Sequence, residues 1–309
     1  MTEDAEAAGL HRELLLLAGR VPGDVLARAR LLLAEGDLRT VAAVTAELGA
    51  RRPQPYAFVA ELPAPGRAPA PVLDLTADPD RTDAVDRAAV RALVRVPEAV
   101  ALWRSWRVVP GASPEIAPPV RVYVLEASGL SALPAVTAVV MRALTRAGLE
   151  DPQVETYPSG FEPPAYQHGA RSASALLWAA GGASPVRMAQ ALGTGARIGD
   201  DERDEVLSCL EAGAPVMTAT RRATDVVDPA RGAVVPTGYR TDGRWVWPEA
   251  AAYYLRAHGS APDAGLLADI RSAGYAPTPA GPVGVHRALA ALLGGHPAPA
   301  SGEVARGEH

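Results

Sequence analysis

The stretch Val120–Tyr157, VRVYVLEASGLSALPAVTAVVMRALTRAGLEDPQVETY, decides the fold class. Val120 to Leu125 is rich in β-branched and aromatic residues and predicts a strand. Pro134 to Arg146 places Val136, Val139, Val140, Ala143 and Leu144 on one stripe and stops at Gly148, which predicts a helix. Gln153 to Tyr157 predicts a second strand. Short connections between strand, helix and strand are the mark of an α/β unit.

Outward from this unit the alternation continues. The sequence predicts a helix over Pro164–Ala180, a strand over Val186–Ala191, a helix over Asp200–Ala212 and a strand over Pro215–Ala219. The fold class expected is therefore α/β (or α+β), with a mostly parallel sheet and flanking helices. A split α+β sandwich with antiparallel strands is the competing arrangement.

Towards the N-terminus, leucine and valine spacings of three and four predict three short helices before residue 50, separated at Val21–Asp24 and Gly36–Asp37. Arg51-Arg52-Pro53-Gln54-Pro55 breaks the pattern, so a helical region is assigned to 1–52 and an α/β body to 53–290. Residues 291–309 are rich in Pro, Gly and Glu and read as a disordered tail. Within the body, Tyr56–Leu62 and Pro71–Leu75 read as strands around a proline-rich connector. Asp74, Asp78, Asp80, Asp83 and Asp86 follow, but the spacing lacks the Gly and Glu of a calcium loop, and Asp83 and Asp86 suit a helix start instead. PEAVALWRSW from Pro97 predicts a helix with Trp103 and Trp106 on one face.

Towards the C-terminus, Val234–Gly259 reads VVPTGYRTDGRWVWPEAAAYYLRAHG. Asp242-Gly243 suits both positive-φ positions of a type I′ turn, which predicts a β-hairpin. Trp245 and Trp247 then share one face, and Glu249–Ala257 forms a helix closed by Gly259. These indoles are either core anchors or part of a site with Arg240, Asp242 and Arg244. Further helices are expected over Asp263–Ser272 and Val285–Leu293.

Composition excludes several chemistries. All 30 basic residues are Arg, and Asn is absent as well, which points to a high-GC, actinobacterial-type genome. A Schiff-base or P-loop lysine is thereby excluded. The net charge of −5, with no basic run, argues against nucleic acid. The single Cys209 excludes an internal disulfide and a multi-Cys metal site. No apolar run is long enough to span a bilayer, and the acidic N-terminus lacks a signal peptide's basic region, so a soluble, cytoplasmic protein is expected.

No G-x-S-x-G elbow, H-E-x-x-H or G-x-G-x-x-G is present, and the glycines of Gly193–Gly199 have the wrong spacing and precede Asp200 and Asp201. No metal and no cofactor is called for. His168, with Glu162 or Glu155 to orient it, is the catalytic candidate, set against an exposed, idle histidine. Arg221, Arg222, Asp225, Asp228, Arg231, Arg240, Asp242 and Arg244 form the other constellation. Such a set clamps an anion or fixes a partner through bidentate contacts, or forms a surface ion-pair lattice. Ligand or partner binding is accordingly assigned to Arg221, Arg222, Arg240, Asp242, Arg244, Trp245 and Trp247.

The C-terminal segment 225–270, containing VVDPARGAVVPTGYRTDGRWVWPEAAAYYLRAHGSAPDAGLLADI, resembles the tail of poorly characterised actinobacterial proteins, some of which accompany secreted toxins as accessory or immunity-type proteins. The resemblance implies a protein–protein interaction role and supplies no catalytic residue. The expectation is a non-enzymatic interaction protein with a protein partner or a homo-oligomeric state. The alternative is an enzyme or sensor for a small anionic or nucleotide-like ligand clamped by arginines.

Overall fold

The computed structural model describes residues 3–48, 55–64, 66, 68–193 and 197–294. The chain forms two compact units, 1–183 and 184–309. The breaker at 51–54 and the tail from 295 lie outside the described residues. The helical region assigned to 1–52 belongs to the first unit, and the body assigned to 53–290 is divided at residue 183.

The first unit begins with α1 (Glu3–Leu17), α2 (Gly23–Ala34) and α3 (Leu38–Leu48). There follow β1 (Ala57–Val59), β2 (Leu73–Asp74), α4 (Ala84–Leu93), β3 (Ala99–Val108) and β4 (Val120–Ala127). The unit ends with α5 (Leu133–Arg146), β5 (Gln153–Pro158), α6 (Ala165–Ser172) and β6 (Ala175–Ala179). The sheet runs β2-β6-β3-β4-β5, with β1 paired to the end of β3. β4 and β5 are parallel and joined through α5, as the opening stretch requires, and β2 is parallel to β6. β3 is antiparallel to β4, β6 and β1. The sheet is mixed, which corrects the mostly parallel expectation.

Two misread segments account for the difference. PEAVALWRSW is the core of strand β3, not a helix. Its position in the middle of the sheet buries both faces, so apolar residues fall at helix-like and strand-like spacings alike. Trp103 pairs with Val124 and Trp106 with Arg121, so the two indoles point to opposite faces. Residues 164–180 are likewise not one helix: α6 ends at Ser172 and the buried run Ala175–Ala179 becomes β6. A short, wholly apolar run does not distinguish a buried strand from a helix.

One face of this sheet packs Leu102, Tyr123, Leu125 and Val154 against α4 and α5. Of the aspartates after β2, Asp83 and Asp86 have structural partners. Asp83 caps α4 by accepting from the Asp86 N–H at 2.8 Å, and Asp86 accepts from Tyr123, Arg121 and Arg104.

The second unit contains β7 (Arg187–Met188), α7 (Asp200–Ala212), β8 (Ala214–Met217), β9 (Arg222–Thr224), β10 (Ala233–Pro236), β11 (Tyr239–Thr241) and β12 (Trp245–Pro248). α8 (Ala250–His258), α9 (Ala264–Ser272) and α10 (Pro282–Gly294) follow. The sheet β7-β12-β11-β8 is built on the expected β11–β12 hairpin, and β9–β10 is a separate antiparallel ribbon. Alternation along β12 sorts the core. Trp245 and Trp247 pack with α7, α8 and α9, while Val246 faces Ala288 and Leu292 of α10.

The hairpin turn is not type I′. Gly243 alone has positive φ there, +91°, and Asp242 does not. Asp242 serves through its side chain, accepting from the N–H groups of Arg244 at 2.8 Å and Trp245 at 2.7 Å. Among the described residues no helix is long and apolar enough to cross a membrane.

Candidate functional site

The β9–β10 ribbon is a largely exposed part of the second unit. Strand propensity builds it from RAT and AVVP, and Asp225 reverses the chain between them. The Asp225 side chain is fully buried, and its Oδ1 accepts from the N–H groups of Val227 at 2.9 Å and Asp228 at 3.1 Å. Its Oδ2 accepts from the Tyr253 hydroxyl at 2.8 Å and from His258 Nε2 at 2.7 Å. Tyr253, Tyr254 and His258 occupy the last turns of α8, where residues four apart share a face. The Tyr254 hydroxyl accepts from the Val226 N–H at 3.3 Å. Asp228 caps the short 3-10 turn Pro229–Arg231, and Gly232 at φ +72° returns the chain to β10.

Burial opposes ionisation of Asp225. The hydrogen bonds from His258, the Asp228 N–H, Tyr253 and the Val227 N–H outweigh it and hold the carboxyl well below the usual carboxylate range. The Asp225 carboxylate is therefore ionised at neutral pH and anchors the ribbon to α8.

The ribbon displays apolar and cationic side chains together. Val226 is 69% exposed, Val227 48% and Val234 39%. Arg221, Arg222 and Arg231 stand exposed beside them. Among the described residues β9 and β10 pair only with each other, so each keeps one open edge. A groove of about 460 Å³ adjoins the ribbon, lined by Leu192, Ala223, Val226, Val235, Pro236 and Tyr254 among others.

The remaining residues singled out in the sequence are placed elsewhere. Arg240 pairs with Glu249 at 3.2 Å and donates to the carbonyls of Glu211 and Gly213 at the end of α7. Trp247 is buried and donates from Nε1 to the Leu210 carbonyl at 3.1 Å, and its ring lies so close to Gly213 that a side chain there would collide with it. Trp245 is 6% exposed, donates to Asp269 at 2.8 Å and carries the Arg187 guanidinium 5.1 Å from its ring centroid. Both indoles are packing anchors. Arg244 and Asp242 border a cavity of only about 70 Å³ with Cys209 and the two tryptophans. Cys209 Sγ lies 3.3 Å from the Tyr275 carbonyl, and burial raises its pKa, the opposite of an activated thiol.

In the first unit His168 does meet Glu162, at 3.4 Å, but their side chains are 53% and 70% exposed. Glu155 is fully buried and belongs to Arg30 and Gln167 instead. In the sequence Asp225 is one of several scattered charges, and its pairing with His258 is not evident there. The only local signals were Asp225-Val-Val-Asp228-Pro, a turn pattern, and a histidine four residues after Tyr254. Among the described residues no group of three or more His, Cys, Asp or Glu is placed to hold a metal ion. Compared with protein-family models, with curated proteins and with solved structures, the chain matches none of them.

Proposed function

We propose that this protein is a non-enzymatic accessory or immunity-type protein of the cytoplasm that binds a partner protein through the β9–β10 ribbon. One observation carries the reading: three valines are exposed on a ribbon whose turn is locked by four hydrogen bonds to a buried carboxylate. Apolar side chains held rigidly in solvent lose little further entropy on docking, so preorganisation favours binding. Arg221, Arg222 and Arg231 at the rim suit an acidic surface around the partner's apolar centre.

The test is affinity capture with the full chain, followed by native mass spectrometry. Val226→Asp combined with Val227→Asp is expected to weaken the captured complex at least about tenfold. Because both side chains are exposed, folding stability should move by no more than about 0.5 kcal/mol. A complex that survives the double variant unchanged overturns the proposal, as does a lone monomer carrying a co-purified metabolite. A homo-oligomer disrupted by the same variant would make the partner a second copy of the chain.

The second reading, an enzyme or sensor for a small anionic or nucleotide-like ligand, is favoured by the His258–Asp225 pair, since an oriented imidazole can accept a proton. The groove bordered by Val226 and Tyr254 has no arginine in its lining, which leaves the anion clamp without support there.

A further inference from the structure

In the first unit, a cleft of about 350 Å³ lies between the α1–α2 turn and the end of β3. Arg20, Val21, Tyr56, Arg107 and Val109 line it, with Pro22 and Pro55. We propose that this cleft binds a small organic anion, a phosphate or carboxylate carried on an apolar or ring-bearing body.

The charge arrangement argues first. Arg30, Arg104, Arg121 and Arg171 of the same unit are all paired with carboxylates. Among the described residues, Arg20 and Arg107 are in no such pair; the same holds for other surface arginines of the unit such as Arg12 and Arg28, but Arg20 and Arg107 face one concavity together. Two guanidinium groups lining one concavity raise its positive potential, an arrangement that an anion relieves. Planar guanidinium forks suit the paired oxygens of phosphate and carboxylate.

The shape is built as well. Gly19 has φ +75°, and a Cβ there would meet the Tyr166 ring at 2.7 Å and the Tyr56 ring at 2.9 Å. The turn is thus pressed onto an aromatic wall in which Tyr56, Phe58 and Tyr166 have centroids 5.1–5.2 Å apart. Arg107 donates to the Tyr166 hydroxyl at 3.2 Å, which orients its guanidinium without neutralising it. Val21, Pro22, Pro55, Val109 and Tyr56 supply apolar surface for the body of the ligand. The volume suits a small molecule and is at the low end for ligand sites.

Isothermal titration of the full chain with phenyl phosphate, benzoate and neutral benzyl alcohol tests the proposal. One saturable site per chain is expected for phenyl phosphate or benzoate, and none for benzyl alcohol. Binding of only one of the two anions would fix the acid class. Arg20→Gln and Arg107→Gln should each weaken binding about 10- to 100-fold, while Arg39→Gln on α3 leaves it unchanged. If Arg107→Gln fails to fold because Tyr166 loses its donor, the exposed Arg20 decides alone. The site is refuted if neither anion saturates up to about 10 mM, or if Arg20→Gln binds as tightly as the parent. The Val226→Asp, Val227→Asp double variant should bind these anions normally, which separates this site from the ribbon.

Discussion

Arg30 and Glu155 join α2 to β5 with side chains only 1% and 0% exposed, at 2.5 Å. Glu155 Oε2 also accepts from Gln167 at 2.8 Å. Among the described residues, Arg30 Nη1, Glu155 Oε1 and Gln167 Oε1 have no hydrogen-bond partner. An incompletely satisfied buried pair does not recover its desolvation cost, yet removing one member strands the other. Arg30→Met alone should therefore destabilise the protein by about 3–5 kcal/mol. Arg30→Met with Glu155→Leu should recover most of that loss, measured by denaturant unfolding of the two variants side by side. A double variant as unstable as the single one would show that the pair is stabilising in its own right. Their pairing was not legible in the sequence, because 125 positions separate them and nothing local marks either as buried.

At the scale of elements, the hairpin and α10 meet backbone to backbone. A Cβ on Gly284 would come within 2.7 Å of the Gly243 Cα. Gly→Ala in a helix ordinarily gains up to about 1 kcal/mol. Here the neighbour is main chain of a tight turn and cannot rotate away, and overpacking costs about 1–3 kcal/mol. The clash is expected to win, so Gly284→Ala lowers the Tm. Gly281→Ala, which has open space around its Cβ, leaves it level or slightly raised. The hairpin itself was legible in Thr-Asp-Gly-Arg followed by Trp-Val-Trp, but its turn type was not. Asp242 was chosen for its carboxylate acceptor and not for a positive φ. The β9–β10 ribbon was illegible for the opposite reason: its strands are three and four residues long and show no alternation strong enough to read.

For the molecule as a whole, acid should act on the two units in different pH windows. His11 on α1 donates from Nε2 to the Thr156 carbonyl of β5 at 2.7 Å. Burial, aided by the nearby Arg30 charge and opposed by that hydrogen bond, lowers its pKa from 6.5 to about 4. Above pH 6.5 both folded and unfolded states hold it neutral. As pH falls from 6.5 towards 4 only the unfolded chain takes up the proton, and the first unit loses about 3 kcal/mol. Asp225 has a depressed pKa, so its stabilisation of the second unit is full above the ordinary carboxylate range and is lost only as pH falls through that range, where the unfolded chain takes up the proton first. Hydrogen exchange followed by mass spectrometry, corrected for intrinsic rates, should show residues 3–183 losing protection first between pH 6.5 and 4. His11→Gln should abolish that difference between the units.

By itself the sequence determined the βαβ unit at 120–157, the three N-terminal helices and the tryptophan hairpin. Each is specified by periodicity and turn chemistry acting over a few residues. Tertiary structure alone decided that the first sheet is mixed, because a strand buried on both faces carries the same apolar residues as a buried helix. It also decided which charges are partners. Asp225 and His258, or Arg20 and Arg107, come together through burial and chain reversal, and side-chain charge has no sequence periodicity that records its neighbours in space.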